Sequence, residues 1–295
     1  MASVQRAGAS KKPIVMLIDL DHTLQGDIRP QIMEYELVRD INRHITNGPK
    51  IRYHVANGLS KDFEAGLLRP NVGSSLRAIK KRHPNIEMFV YTASSHDWAR
   101  YIVPKLEDVA FGGAFFNRPI LTRNYVQPNG MKSIKAVKSA VDNSLKKKYG
   151  DAVARFDYPI YLIDNNPVLD VHELKHLVQC PPYNYVHMID PLRNISKRVV
   201  AKHFLAIANY FGVPARVRSD HEASIRYIYS KLNRELLIDE HTMSRAGIGV
   251  RNAKYLDDTY WTRVKGVVAN SNMRSADEIE RVFNMIRSLR ASNSA

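Results

Sequence analysis

Ile14-Val15-Met16-Leu17-Ile18-Asp19-Leu20-Asp21-His22-Thr23 decides how the rest of the chain is read. Five consecutive apolar residues with no polar alternation predict a strand buried on both faces, the pattern of a parallel sheet covered by helices. The run stops on Asp19, and a second carboxylate follows two residues later. On extended backbone, positions i and i+2 project to the same side. Aspartates at strand ends often only cap a turn. This pair follows a fully apolar strand, where the sheet edge becomes a loop.

Working outward, Ile86 to Tyr91 and Pro159 to Asp164 repeat the buried-strand pattern, and Tyr185 to Ile189 predicts a shorter fourth strand. Helical spacing falls on Ile32 to Ile45, Val72 to Lys81 and His96 to Leu106, and a basic helix is read over Met131 to Tyr149. Ala114 to Val126 is read as a strand and hairpin, with turn signals at Pro119 and Asn124. Strands alternating with helices predict an α/β fold with helices on both faces. Ligands of such folds bind beyond the carboxyl ends of the strands. Asp19, Thr92 and Asp164 each fall at or just after such an end, so one sheet edge is expected to gather all three.

After about Pro191 the chain turns helical. Asn194 to Phe211 and Ser219 to Leu237 carry apolar stripes, and Ser275-Ala276-Asp277-Glu278 is a capping box opening a helix with Ile279, Val282, Phe283 and Ile286 on one face. The expected organisation is a flexible tail over 1–12, an α/β domain over 13–192, and a helical C-terminal extension over 193–295 with a frayed end from Arg290.

The chain has 295 residues, 44% of them hydrophobic, enough to bury a substantial core. One cysteine, Cys180, allows no internal disulfide. No apolar run is long enough to span a bilayer and no signal peptide is read, so the cytoplasm or nucleus is expected and no membrane partner. The net charge of +15 favours phosphorylated substrates or polyanions, including contact with nucleic acid or nucleoprotein through a basic surface. Scattered basic residues also serve solubility alone, and Lys146-Lys147-Lys148 at a helix end complements the helix dipole without any ligand.

The Asp19/Asp21 pair suits phosphoryl chemistry. One carboxylate can attack phosphorus while the other handles the leaving-group proton, and the pair can hold Mg²⁺. Further segments agree in order: Leu68-Arg69-Pro70, Phe89-Val90-Tyr91-Thr92-Ala93-Ser94 and Leu162-Ile163-Asp164-Asn165-Asn166-Pro167. Together they resemble the motifs of haloacid dehalogenase-like (HAD) phosphatases, in the FCP/SCP-like branch, also called NLI-interacting-factor-like, that dephosphorylates the RNA polymerase II C-terminal domain. The resemblance covers Ile14 to Leu192 and does not reach the C-terminal helices.

It implies a HAD-like Rossmannoid sheet and an aspartyl-phosphate intermediate on Asp19. Asp21 would act as general acid and then base, and Thr92 would supply a hydroxyl and nearby amides to the phosphoryl oxygens. Mg²⁺ would be held by Asp19, Asp21, Asp164 and Asn165. The third motif is a lysine, assigned to Lys132 with Lys135 as alternative. A phosphorylated protein is the implied substrate. His22 stands where the branch often has glutamate, and is read as an ordinary loop histidine. The segment 25–67 departs from the pattern and is read as a small cap.

Three other readings compete. His172-Glu173-Leu174-Lys175-His176 fits the HExxH zinc pattern, but Pro181 and Pro182 cut the helix it needs and no Gly-x-x-His follows. A basic non-catalytic scaffold would not need both Asp19 and Asp21. A polynucleotide end phosphatase keeps the chemistry and exchanges the substrate.

Overall fold

The computed structural model describes residues 12–44, 55–151, 153, 157–189, 193, 197–235 and 252–290. Apart from Lys12, the expected tail lies outside the described residues. So do Ile195, Leu237 and residues 291–295 of the expected fraying end.

Four parallel strands form the sheet: β1 (Ile14–Ile18), β2 (Ile86–Val90), β3 (Ile160–Asp164) and β4 (Leu177–Gln179), in the order β2-β1-β3-β4. Every residue of β1, β2 and β3 is buried, which is why these strands read as nearly continuous apolar runs, with Glu87 the charged residue inside β2. The chain leaves β1 for β2 on one side and later returns to β3 on the other. The end of β1 is therefore the point where the strand order reverses.

The chain divides into two compact units, 1–24 with 70–183 and 259–295, and 25–69 with 184–258. In the first, Val15, Leu17, Phe89 and Leu162 pack on Val137, Val141 and Leu145 of α5 (Ile134–Tyr149). The second unit contains α1 (Arg29–His44), α2 (Val55–Asp62), α6 (Lys197–Tyr210) and α7 (His221–Glu235). Its apolar core joins Leu37, Val38, Ile207, Phe211 and Ile228.

The expected break at 192/193 differs from this division. The helices α8 (Tyr260–Ala269) and α9 (Ala276–Ser288) bury Tyr260, Trp261, Val264 and Phe283 within the sheet unit. Phe283 stacks on Tyr161 of β3 with ring centroids 3.7 Å apart. The predicted capping box at Ser275 and Glu278 is present. The segment 25–67 is not a separate piece, since it shares a unit with 184–258.

Two strand assignments are corrected. Tyr185 to Ile189 is not the fourth strand, because Val186 pairs with Asp27 in the second unit. A Cβ at Gly26 would lie 2.2 Å from the Tyr185 carbonyl oxygen, so this close approach requires glycine. The fourth strand is Leu177–Gln179, too short to announce itself by pattern. Ala114 to Val126 forms no hairpin. It contributes one parallel bridge, Leu121 to Tyr91, and a 3₁₀ turn at Arg123–Tyr125.

Candidate active site

The reversal at β1 opens a gap between the ends of the flanking strands, and three charged side chains fill it. Lys132 Nζ donates to Asp19 Oδ1 at 2.5 Å, to Asp164 Oδ2 at 2.7 Å and to the Tyr91 carbonyl at 2.8 Å. Three strand ends therefore meet on one buried ammonium. Lys132 is not on a helix, as the sequence suggested. α5 starts at Ile134 with Ser133 as its N-cap, and Lys132 lies in a short bridge with Leu169. Its N–H donates to the Val168 carbonyl and its own carbonyl accepts from Asp170. This pins the backbone so that the side chain points across the edge. Lys135 is exposed, and its backbone N–H donates to Glu173; among the described residues its side chain makes no bond to the site.

Burial pushes the Asp19 carboxyl up to about 8; Lys132 pulls it down, while Asp164 and Asp21 push it further up. Burial works against the Lys132 charge, but Asp19 and Asp164 overcome it and hold the ammonium above the ordinary lysine range. Asp19 and Asp164 thus share one ammonium, with Asp21 close enough to Asp19 to push its carboxyl up.

Asp21 and Thr92 belong to the same edge through a residue that sequence reasoning passed over. Ser94 Oγ donates to Asp21 Oδ2 at 3.1 Å, and the Ser94 N–H donates to Thr92 Oγ1 at 3.1 Å. The Thr92 hydroxyl accepts here, which leaves its own proton to donate. His22, between Asp21 and Thr23, has φ of +59°, rare for a residue with a side chain. Its backbone carbonyl accepts from Tyr183 and its ring Nδ1 lies 3.3 Å from the Tyr183 carbonyl. This histidine is therefore the bend that turns the loop back after Asp21.

Asn165 joins through Thr23. Thr23 Oγ1 donates to Asn165 Oδ1 at 3.3 Å and accepts from the Asn165 N–H at 3.2 Å. Behind this clasp, Trp261 Nε1 donates to the Thr23 carbonyl at 3.3 Å. Trp261 is fully buried on α8, far along the chain from both motifs. In the sequence it reads only as a core aromatic.

Among the described residues no group of three or more His, Cys, Asp or Glu side chains forms a ready metal site. What the edge offers is oxygen: the Asp19 and Asp164 carboxylates, the Asn165 amide, and backbone carbonyls. Oxygen donors with one or two carboxylates suit Mg²⁺, which keeps several waters, and do not suit zinc. The HExxH segment forms a 3₁₀ turn over Val171–His176, in which positions four apart do not share a face. Its Glu173 accepts the N–H groups of Ile134 and Lys135, capping α5.

Fold and site together define an α/β sheet protein with an acidic, lysine-bridged centre at the carboxyl edge of its parallel strands. Among solved structures, Fcp1, an essential RNA polymerase II CTD phosphatase, is similar at 16% identity, over 96% of this chain and 66% of that one, with a TM-score of 0.39. An arginine-to-alanine variant of fission yeast RNA polymerase II CTD phosphatase Fcp1 bound to beryllium fluoride is similar at 14% identity, over 95% of this chain and 63% of that one, with a TM-score of 0.34. This chain spans less than two thirds of that second protein and about two thirds of the first. No protein-family model and no curated protein matches it.

Proposed function

We propose that this chain is a Mg²⁺-dependent phosphomonoesterase that passes through an aspartyl-phosphate on Asp19 and acts on phosphoserine or phosphothreonine of a protein. The observation that carries the reading is the buried Lys132 ammonium, in contact with both Asp19 and Asp164 at the end of β1 and β3. Lys132 takes one oxygen of Asp19 and so orients the other toward phosphorus. The same charge offsets the anion that forms there.

Asp19 attacks phosphorus and the bond to the leaving oxygen breaks. Asp21, held through Ser94, gives that oxygen its proton. Asp21 then takes a proton from water, which attacks the phosphoryl group, releases inorganic phosphate and restores the Asp19 carboxylate. The Thr92 hydroxyl and neighbouring amides bind phosphoryl oxygens. Asp19, Asp21, Asp164 and Asn165 would hold Mg²⁺, whose charge, when bound, lowers the repulsion between nucleophile and phosphate.

The test is hydrolysis of p-nitrophenyl phosphate. Turnover should require Mg²⁺ and should fall by about 10³-fold or more in Asp19→Asn. Persistent turnover in that variant would refute the nucleophile. Phosphopeptides assayed beside 5′- and 3′-phosphorylated oligonucleotides then decide the substrate class, with the peptides expected to be preferred.

A further inference from the structure

The sheet unit carries a second polar concavity that the chemistry above does not use. A groove of about 380 Å³ runs between α4 (His96–Phe111) and the segment 118–120, lined by His96, Arg100, Pro104, Arg118, Pro119 and Ile120. His96, Arg100 and Pro104 recur every fourth residue and so share one face of α4. The groove begins beside the site: His96 follows the Thr92–Ser95 loop, and Ile120 precedes Leu121, which pairs with Tyr91.

Its two arginines are held differently. Arg118 is fixed in place, bonded to both oxygens of buried Glu107 and, at 2.8 Å, to the Phe116 carbonyl. Much of its charge is spent on Glu107. The Arg100 side chain is exposed and makes neither a hydrogen bond nor an ion pair among the described residues. The groove therefore contains an uncommitted guanidinium above an apolar floor of Pro104, Pro119 and Ile120. Among its lining residues the one aromatic ring is the exposed His96 imidazole, and the choice of a peptide over a nucleic-acid strand follows from the activity proposed above. A fork-shaped cation over an apolar floor fits a peptide with an anionic side chain.

We propose that this groove is an anion subsite that takes a second phosphorylated or acidic side chain of the substrate, a short way along the peptide from the scissile phosphoresidue. The inference rests on the proposed protein phosphatase activity and specifies its substrate as a peptide carrying more than one anion. Arg100 binds that anion and takes no part in the chemistry.

The experiment compares a peptide with one phosphoserine against the same peptide with a second phosphoserine four residues away. The intact chain should favour the second peptide by about tenfold in kcat/KM, through KM. Arg100→Glu should abolish that preference, Arg100→Lys should keep part of it, and p-nitrophenyl phosphate turnover should not change in either. Equal handling of the two peptides by the intact chain, or a preference surviving Arg100→Glu, overturns the subsite. A 5′-phosphorylated oligonucleotide whose turnover falls with Arg100→Glu assigns the groove to nucleic acid and overturns the peptide. Fluorescence anisotropy of the labelled peptides on an Asp19→Asn background reads the groove without turnover, so failure of the chemistry and failure of the subsite remain separable.

Discussion

Lys132 stands between Asp19 and Asp164, and Arg193 stands between Glu34 and Asp62. Each is a cation with a carboxylate on either side, but the two are bonded very differently. Arg193 makes two hydrogen bonds to each partner, at 3.1 and 3.2 Å to Glu34 and at 2.6 and 2.7 Å to Asp62. All four carboxylate oxygens are used, so nothing remains to react. Lys132 touches one oxygen of each partner and gives its third bond to the Tyr91 carbonyl. The geometry of the cation decides the outcome: a planar fork saturates its carboxylates, while a compact ammonium leaves oxygens free for a metal or a phosphorus atom.

The largest test of this contrast replaces each cation by methionine. Arg193→Met leaves Glu34 and Asp62 buried without their shared partner and should cost about 3–5 kcal/mol. Turnover per folded molecule should stay near that of the intact chain. Lys132→Met should cost a similar amount by the same mechanism and, in addition, lower turnover by about 10²–10³-fold. Adding Asp164→Asn to Lys132→Met should return part of the stability and none of the activity. Chemical denaturation gives the stabilities, and aryl phosphate assays normalised to the folded fraction give the rates. A fall in the intrinsic rate of Arg193→Met would erase the distinction.

Trp261 probes how the site's oxygens are aimed. Its N–H holds the Thr23 carbonyl, and Thr23 holds Asn165 through both its amide N–H and its side-chain oxygen. Trp261→Phe keeps an aromatic ring on α8 and deletes that donor. The fold should lose about 1 kcal/mol. Half-saturation by Mg²⁺ should rise about tenfold, since supports behind metal ligands govern their orientation. A purely structural tryptophan would lower the melting temperature and leave the Mg²⁺ titration unmoved.

Much of this centre could be read from the sequence, for one physical reason. A parallel strand buried on both faces is a nearly continuous apolar run, so β1 and β3, and β2 despite Glu87, show both their extent and the polar residue at their end. Asp19, Thr92 and Asp164 were located in this way, and the structure gathers all three, with Lys132, at one edge. What stayed hidden depended on tertiary partners. Leu177–Gln179 is too short to carry a pattern, and the run at Tyr185 is buried by pairing with Asp27 and not by the sheet. Ser94 and Trp261 look like a loop serine and a core aromatic until the fold brings their donors to Asp21 and Thr23. The union of 25–69 with 184–258 cannot be seen by any reading that moves along the chain.

A third cluster inverts the arrangement and carries the smallest expected effect. Glu87, near the start of β2, is a buried carboxylate facing Lys148 at 2.6 Å and Lys80 at 2.9 Å, with Tyr149 and Asn117 also donating to it. Burial opposes its charge, but the bonds from Lys148, Asn117 and Lys80 overcome this and hold the carboxyl below the ordinary range. A carboxyl whose folded pKa is depressed stabilises the fold above its unfolded pKa of about 4.3, and that contribution is lost as pH falls through the folded value. Both lysines are partly exposed, at 32% and 52% of their side chains, so solvent screens much of the attraction. Glu87→Gln should therefore cost only about 1 kcal/mol at pH 7, and the difference from the intact chain should shrink once the pH drops below about 4. Because Glu87 is saturated with donors, as the carboxylates around Arg193 are, aryl phosphate turnover should not respond. A pH-independent loss of stability in Glu87→Gln would mean that the side chain is retained for its hydrogen bonds and packing and not for its charge.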